Sequence, residues 1–268
     1  MQTNLILNAD CMDIMKSMQD AAVNLTLTDI PYNEVNRSGN GLRVFDKGVA
    51  DVMTFDLNDF LEEIYRVTSS TIIIFCGQMQ VSDIISFFQE KIKKDKGTVR
   101  QLIWEKSNPS PINGEYVYLS GIENAVWFKK SKGTYNGYCK NTVFRYPCGK
   151  SKLHPTEKNH NLLKELIYDN SCKDDIVFDP CCGSGSHCLV AKDTERQYIG
   201  VELNSTYFNR AYRRLNFELP DYLTFDGVVN FKERIKYVDI IPSVKGGWIE
   251  VPFDFFNSII YENLGCYF

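Results

Sequence analysis

DIVFDPCCGSGSH (175–187) is the stretch on which the fold turns. An apolar β-type run ends in a carboxylate, Asp179. A tight turn containing Gly183 and Gly185 follows and opens into a helical pattern. Glycine lets a backbone approach a ligand closely. A Gly-rich turn between strand and helix is common in α/β proteins and says little alone. Some twenty residues on, YIGVELN (198–204) ends a second strand in Glu202. That spacing suits an acid that accepts hydrogen bonds from ribose hydroxyls. No Gly-Lys-Ser/Thr follows the turn, so a nucleoside without a phosphate chain fits better than a nucleotide.

Outward from this pair, strand-like runs recur at 4–8, 23–28, 71–76, 99–105 and 124–129. Most are continuous apolar runs, as expected of strands covered on both faces. Helical spacing lies between them. Ile14, Met15 and Met18 share a face, as do Phe60, Leu61, Ile64 and Val67, and Ile84, Ile85 and Phe88. Leu162, Leu163, Leu166 and Ile167 repeat it, then Tyr207, Ala211 and Leu215. Strands alternating with helices argue for an open parallel sheet.

Two regions break the alternation. The stretch 33–54 carries Gly39, Gly41 and Gly48 among charges and reads as a mobile loop. The stretch 129–152 holds Lys129, Lys130, Lys132, Lys140, Arg145, Lys150 and Lys152 with no acid, interleaved with Tyr135, Tyr138, Phe144 and Tyr146. It reads either as a solvated loop or as a nucleic-acid contact strip. From 216 to 268 the pattern turns short and β-rich and reads as an extension.

The 268 residues, 44 % of them hydrophobic, suffice for one large core with an appendage. A net charge of −4 excludes binding of nucleic acid by bulk charge. Nine cysteines without a CxxC pair argue for reduced thiols rather than a metal site, and no metal is expected. The N-terminus lacks a signal-peptide pattern, and no apolar run approaches the ~20 residues of a membrane span. A cytoplasmic protein with no membrane partner is expected.

LTLTDIPYNE (25–34) is the second chemical stretch. A strand ends in Asp29, where open α/β sheets bind ligands. Pro31 fixes its own φ and biases Ile30 toward an extended backbone, which aims the Ile30 carbonyl. Asp29, that carbonyl and the Tyr32 ring would suit a planar base with an exocyclic amine. A Pro turn ending a strand over a core Tyr is the alternative.

The ordered motifs resemble those of S-adenosylmethionine-dependent amino-methyltransferases of DNA. DIPY is similar to that family's Asp-Pro-Pro-Tyr catalytic motif, and FDPCCGSG to its cofactor motif. The catalytic motif comes first, the permuted order of the β group. The opening LNADCMDIMKSMQDAAVNLTLTD, the pair LIWEKSNPSP and GIENAVWFKK, and KLHPTEKNHNLLKELI also match, so the likeness spans about 4–215.

The resemblance implies a Rossmann-like class I methyltransferase fold. Its mixed seven-stranded sheet would be flanked by helices over 1–215, with a β-rich extension at 216–268. It makes Asp29, Ile30 (through its carbonyl), Pro31 and Tyr32 catalytic. It places Asp179, Pro180, Cys181, Gly183, Ser184 and Gly185 along the methionine half of S-adenosylmethionine, Glu202 on the ribose and Asp10 on the adenine. Thr156, Glu157 and Lys158, with His154, would close over the methionine end. Ile30, Cys181 and Asn159 depart from the usual Pro, Phe and Pro.

A short target-recognition segment is implied at 129–152, with Lys130, Lys132, Lys140 and Arg145 on double-stranded DNA. A short recognition site is one consequence; the alternative is that the 216–268 tail contributes recognition or homodimer contacts. Asp at the head of the clamp, where N4-cytosine enzymes mostly carry Ser, implies N6 of adenine, in a bacterial or phage restriction–modification setting. The competing readings are an N4-cytosine enzyme, an RNA or protein amino-methyltransferase, a nucleotide-dependent dehydrogenase and a non-catalytic binding module.

Overall fold

Side chains along the central strands alternate between two apolar layers. Leu25, Leu27, Ile73 and Phe75 enter one layer; Ile72, Ile74, Val126 and Phe128 enter the other. The period of two is that of a pleated strand, and burial of both sets explains the unbroken apolar runs. The computed structural model describes residues 2–32, 52–111, 114–148 and 158–216. Within these, the strands are β1 (Leu5–Asn8), β2 (Val23–Asp29), β3 (Thr68–Cys76), β4 (Gly97–Lys106), β5 (Ile122–Lys130), β6 (Val143–Tyr146), β7 (Ile176–Asp179) and β8 (Gln197–Glu202). The helices are α1 (Cys11–Ser17), α2 (Leu57–Val67), α3 (Val81–Asp95), α4 (His160–Asn170), α5 (Ser186–Asp193) and α6 (Ser205–Asn216).

One eight-stranded sheet runs in the order β1-β8-β7-β2-β3-β5-β4-β6. Its pairings are parallel except those of β5, which lies antiparallel to both β3 and β4. Helices α1, α2 and α3 cover one face, with Met15, Phe60, Ile64, Ile84 and Phe88 in its core. Helices α4, α5 and α6 cover the other, through Leu163, Ile167, Val190, Ala191 and Ala211. Ile64 is fully buried, so Ile64→Ala costs ~2–5 kcal/mol in lost burial and cavity. The mixed, helix-flanked sheet agrees with the class I methyltransferase fold, with eight strands rather than seven.

The additional strand is β6, inside the stretch expected to be a recognition loop. Its four residues alternate, with Val143 and Arg145 exposed while Phe144 and Tyr146 pack on the core. An edge strand of four residues carrying a charge has too few apolar positions to signal itself. Trp104 Nε1 donates to the Tyr146 carbonyl at 2.9 Å and ties this edge down.

Local chemistry fixes the element ends that matter to the site. Asp10 caps α1 by accepting from the Met12 N–H at 2.8 Å. Arg66 on α2 donates to the Met15 and Met18 carbonyls at 2.6 and 2.8 Å, satisfying acceptors at the far end of α1. Asn159 caps α4, its side chain accepting from the Asn161 and Leu162 N–H groups. That accounts for Asn where proline is usual: an amide oxygen starts this helix.

From β2 the chain crosses to β3 on one side, and from β7 it crosses to β8 on the other. The carboxyl ends of β2 and β7 therefore flank a topological switch point, where open α/β sheets form their binding crevice. Asp29 ends one of these strands and Asp179 the other. The loop 33–54, apart from its last three residues, lies outside the described residues. So do Lys150, Lys152, His154, Thr156, Glu157 and the extension beyond 216.

Candidate active site

Asp29 closes β2 beside Phe75 of β3, whose carbonyl accepts the Ile30 N–H at 3.2 Å. Ile30 is 2 % exposed and packs with Met15 and Phe60. An apolar core residue at this position explains the departure from Pro-Pro. The next peptide is pinned by Gln80, whose Nε2 donates to the Pro31 carbonyl at 3.0 Å while its Oε1 accepts the Gly77 N–H at 2.8 Å. Tyr32 folds back, its hydroxyl donating to Asp29 Oδ1 at 2.8 Å.

A buried cation completes this cluster. Lys158 Nζ lies 2.6 Å from Asp29 Oδ2 and 3.3 Å from the Tyr32 hydroxyl, with its side chain 3 % exposed. It also lies 2.9 Å from Glu123 Oε2, an ion pair whose geometry is not that of a directed hydrogen bond. Lys106 holds the other Glu123 oxygen at 2.8 Å. The ammonium sits 5.1 Å from the Phe75 ring centre and 5.6 Å from that of Tyr32.

Burial opposes charge on both partners, and the partners win. Burial would raise the Glu123 carboxyl, but Lys158 and Lys106 hold it down at about 2. Burial would lower the Lys158 ammonium, but Asp29 and Glu123 push it above its ordinary range. Burial first, then the Asp29 charge, pushes the Tyr32 phenol well up, so it stays a donor.

The second half of the crevice is built from neighbouring backbone. Asp179 is fully buried, with Oδ1 accepting the Cys181 N–H at 3.1 Å and Oδ2 lying 2.6 Å from His187 Nδ1 on α5. Gly183 and Gly185 take φ of 52° and 79°, a left-handed backbone that disfavours side chains. At Gly185 a Cβ would also meet the Ala211 Cβ at 3.0 Å. The turn so formed presents the Gly183 N–H to Glu202 Oε2 at 2.8 Å, while Glu202 Oε1 accepts the Asn204 N–H at 2.8 Å. Burial raises the Glu202 carboxyl despite these two donors. Pro180 and the buried Ser184 belong to the same turn.

Cys181 and Cys182 have structural surroundings. The neighbouring Cys11 thiol and burial push the Cys181 thiol up, and the Cys188 thiol and burial push Cys182 up, so neither is a ready nucleophile. Gly200 makes room for the second pair, since a Cβ there would meet Cys188 Sγ at 2.9 Å. Among the described residues no three His, Cys, Asp or Glu side chains gather as a metal site requires.

The basic strip is dispersed. Thr71 pairs with Lys129 and Gly97 with Lys130, at the strand ends remote from Asp29. Ala125 is level with Phe75 and hence with Asp29, and Lys130 lies five positions further along β5, roughly 17 Å away. Lys130 Nζ donates to the Tyr65 carbonyl at 2.8 Å. Lys132 is exposed. Lys140 pairs with Asp169 at 2.7 Å and Glu165 at 3.0 Å. Arg145, opposite Glu105 at the carboxyl ends of β6 and β4, bonds to it at 2.7 Å.

Glu123, Lys106, Gln80 and His187 were not foreseen. Glu123 stands in GIENAVWFKK, where an acid leading an apolar strand was the available signal. Lys158, which the motif likeness places at the cofactor, lies against Asp29 and the Tyr32 hydroxyl of the DIPY motif.

The sequence profile described as DNA methylase matches residues 23–213. The chain belongs to the N6/N4 DNA methylase family. It is 28 % identical over 254 residues to the type II methyltransferase M.HinfI of Haemophilus influenzae, covering 81 % of this chain and 70 % of that one. It is 27 % identical over 248 residues to the type II methyltransferase M.HpaI of Haemophilus parainfluenzae, covering 83 % and 75 %. The M1.HpyAVI–SAM complex superposes with a TM-score of 0.60 at 27 % identity, covering 78 % of this chain and 98 % of that one. The cytosine-N4-specific PvuII DNA methyltransferase shares the fold, with a TM-score of 0.61 at 15 % identity over 85 % and 91 %. This DNA methylase is therefore an enzyme, and the dehydrogenase and binding-module readings of the Gly turn fall away. None of the helices among its described residues is long and apolar enough to cross a membrane.

Proposed function

We propose that this DNA methylase transfers a methyl group from S-adenosylmethionine to the exocyclic N6 of a flipped-out adenine in double-stranded DNA. The observation that carries the reading is the Asp29–Tyr32 cluster at the switch point of the sheet. There a carboxylate, a peptide pinned at the Pro31 carbonyl and an aromatic ring stand together at the carboxyl end of β2. The cofactor half fits an adenosine carrying an amino acid. Asp10, Asp179 and Glu202 end or follow strands around a left-handed Gly turn, a set of acceptors suited to hydroxyls and an ammonium. Glu202 would take the ribose, Asp10 the adenine, and Asp179 with the 180–185 turn the methionine end. Bound S-adenosylmethionine supplies an electrophilic sulfonium methyl.

The chain's own work is to make a poor nucleophile good. The adenine amine is conjugated with the ring and must lose that conjugation to react. Asp29 accepts one N–H and the Ile30 carbonyl the other, which draws the nitrogen toward tetrahedral geometry and stabilises positive charge as it forms. Fixed alignment contributes up to ~7–11 kcal/mol. After transfer, the surplus proton on nitrogen passes to an Asp29 carboxylate oxygen. The base must leave the helix, at a cost of a few kcal/mol, and stacking on Tyr32 returns ~1–3 kcal/mol.

The duplex approaches the carboxyl ends of the parallel strands, where Asp29 stands. The 107–121 segment between β4 and β5 supports this, because it exposes Tyr116, Val117, Tyr118 and Leu119, with Tyr118 wholly exposed. N4 of cytosine is the second reading, since a cytosine-N4 enzyme shares the fold. Digesting DNA methylated with labelled S-adenosylmethionine to nucleosides separates the two. Label in deoxyadenosine is expected; label confined to deoxycytidine would overturn the adenine assignment.

A further inference from the structure

Each Asp29 oxygen already has a donor. Tyr32 holds Oδ1 at 2.8 Å, and Lys158 Nζ holds Oδ2 at 2.6 Å while also touching the Tyr32 hydroxyl at 3.3 Å. An ammonium offers Asp29 the same thing as a target amine, a nitrogen with hydrogens to donate, and it lies 5.6 Å from the centre of the Tyr32 ring on which the base would stack. We propose that Lys158 stands in for the target amine, filling the donor side of the clamp in the free enzyme and passing to Glu123 when the base enters. The inference rests on the reading of Asp29 as the amine acceptor.

Glu123 makes the exchange feasible. A buried ammonium stripped of its only partner is strongly unfavourable. Lys158 is already 2.9 Å from Glu123, so leaving Asp29 does not leave it unpaired. Lys106 anchors the far Glu123 oxygen at 2.8 Å and keeps the carboxylate in place to receive it. Glu123 is the second residue of β5, the antiparallel strand, two positions beyond Ala125, which the pairing with Phe75 sets level with the clamp. Lys158 and Glu123 are thus positioning residues. They govern entry of the base and not binding of the cofactor.

The test is a double-mutant cycle on the full chain with Lys158→Met, Glu123→Gln and both together. Initial rates are read against unmethylated plasmid DNA, counting methyl groups on any base, so the outcome does not depend on adenine. Glu123→Gln should lower kcat/KM for DNA by about tenfold or more, mainly through KM, because Lys158 then has no second carboxylate. Lys158→Met should leave KM for DNA unchanged or lower. The double variant should recover to within about threefold of Lys158→Met, because the residue that Glu123 receives is gone. Calorimetric affinity for S-adenosylmethionine should hold within about twofold throughout. Losses that multiply in the double variant would overturn the proposal. A fall in cofactor affinity parallel to the fall in activity in Lys158→Met would also overturn it, returning Lys158 to the cofactor. Should Lys158→Met not fold, Lys158→Gln takes its place in the cycle. Failure of the underlying clamp reading shows separately, as methyl transfer that survives Asp29→Ala.

Discussion

The two halves of the crevice are held together differently. The cofactor half is local: Asp179 accepts from Cys181 two residues on and meets His187 eight residues on, and Glu202 accepts from Asn204 two residues on. The clamp half is long-range: Lys158 reaches Asp29 across 129 positions of sequence, and Glu123 arrives on an antiparallel strand. Backbone amides that hold carboxylates in place make a preformed receptor, rigid before its ligand arrives. Ion pairs between side chains from separate elements make a device that can exchange partners. The contrast suits the two roles we propose, in which the base is admitted and released once per methyl group.

The hardest test of this division is Asp29→Ala. Methyl transfer should fall by about 10³-fold or more, while S-adenosylmethionine affinity stays within about threefold. Calorimetry on the variant decides the matter, because an equal loss of cofactor binding would merge the two halves. Next in size is Glu202→Ala, which should weaken cofactor binding by ~1–3 kcal/mol as a charge-assisted partner is lost. The variant also leaves the Gly183 and Asn204 N–H groups without the acceptors they have in the native turn. Its transfer rate at saturating cofactor should be close to that of the unaltered chain.

The local half was legible because it is written locally. A strand, two glycines at left-handed positions and an acid at the next strand end form a pattern readable in thirty residues. The alternation of strands and helices likewise follows from burial on both faces. The mixed character of the sheet came from the motif likeness and not from any strand's composition, because pairing direction is set by the chain's return path; the four-residue β6 was not expected at all. Lys158 shows the limit most directly. Nothing in its neighbourhood says that its ammonium crosses to Asp29, and the motif likeness drew it toward the cofactor. Ile30 and Asn159 looked like departures from a pattern until burial and capping gave each a reason.

Acid sensitivity should be concentrated in the clamp. The Glu123 carboxyl is held at about 2, below its ordinary 4.5, so its contribution is present above pH 4.5 and is lost as pH falls toward 2. Its ceiling is ~3 kcal/mol, reduced by solvent at a side chain that is 21 % exposed. Urea denaturation at pH 7, 5 and 3 should show Glu123→Gln less stable than the native chain at neutral pH. The gap should close by ~1–2 kcal/mol as the medium is acidified. A constant gap would mean that Glu123 is not held in its charged form by Lys158 and Lys106.

The smallest effect is expected where the sequence pointed most openly. Lys130, Lys132 and Lys140 are three of the seven cations in the basic strip, yet Lys130 lies at the strand ends opposite Asp29 and Lys140 is neutralised by Asp169 and Glu165. A phosphate contact needs a cation whose charge is not already spent and a place within reach of the duplex. Lys130 lacks the place, Lys140 the spare charge. Replacing all three by alanine should therefore change the slope of log affinity against log salt by less than about one unit, whereas three true phosphate contacts would remove ~2–3. Tyr118→Ala, by contrast, removes a wholly exposed ring at the clamp end of the strands and should weaken DNA binding by ~1–3 kcal/mol if that ring stacks on bases, with little change in salt slope. The two variants probe different physics at opposite strand ends of one sheet. A steep loss of salt slope in the triple lysine variant, with Tyr118→Ala silent, would move the DNA to the far strand ends and separate it from the Asp29 clamp. A flat slope with a weakened Tyr118 variant keeps duplex, flipped base and clamp at one end of the strands.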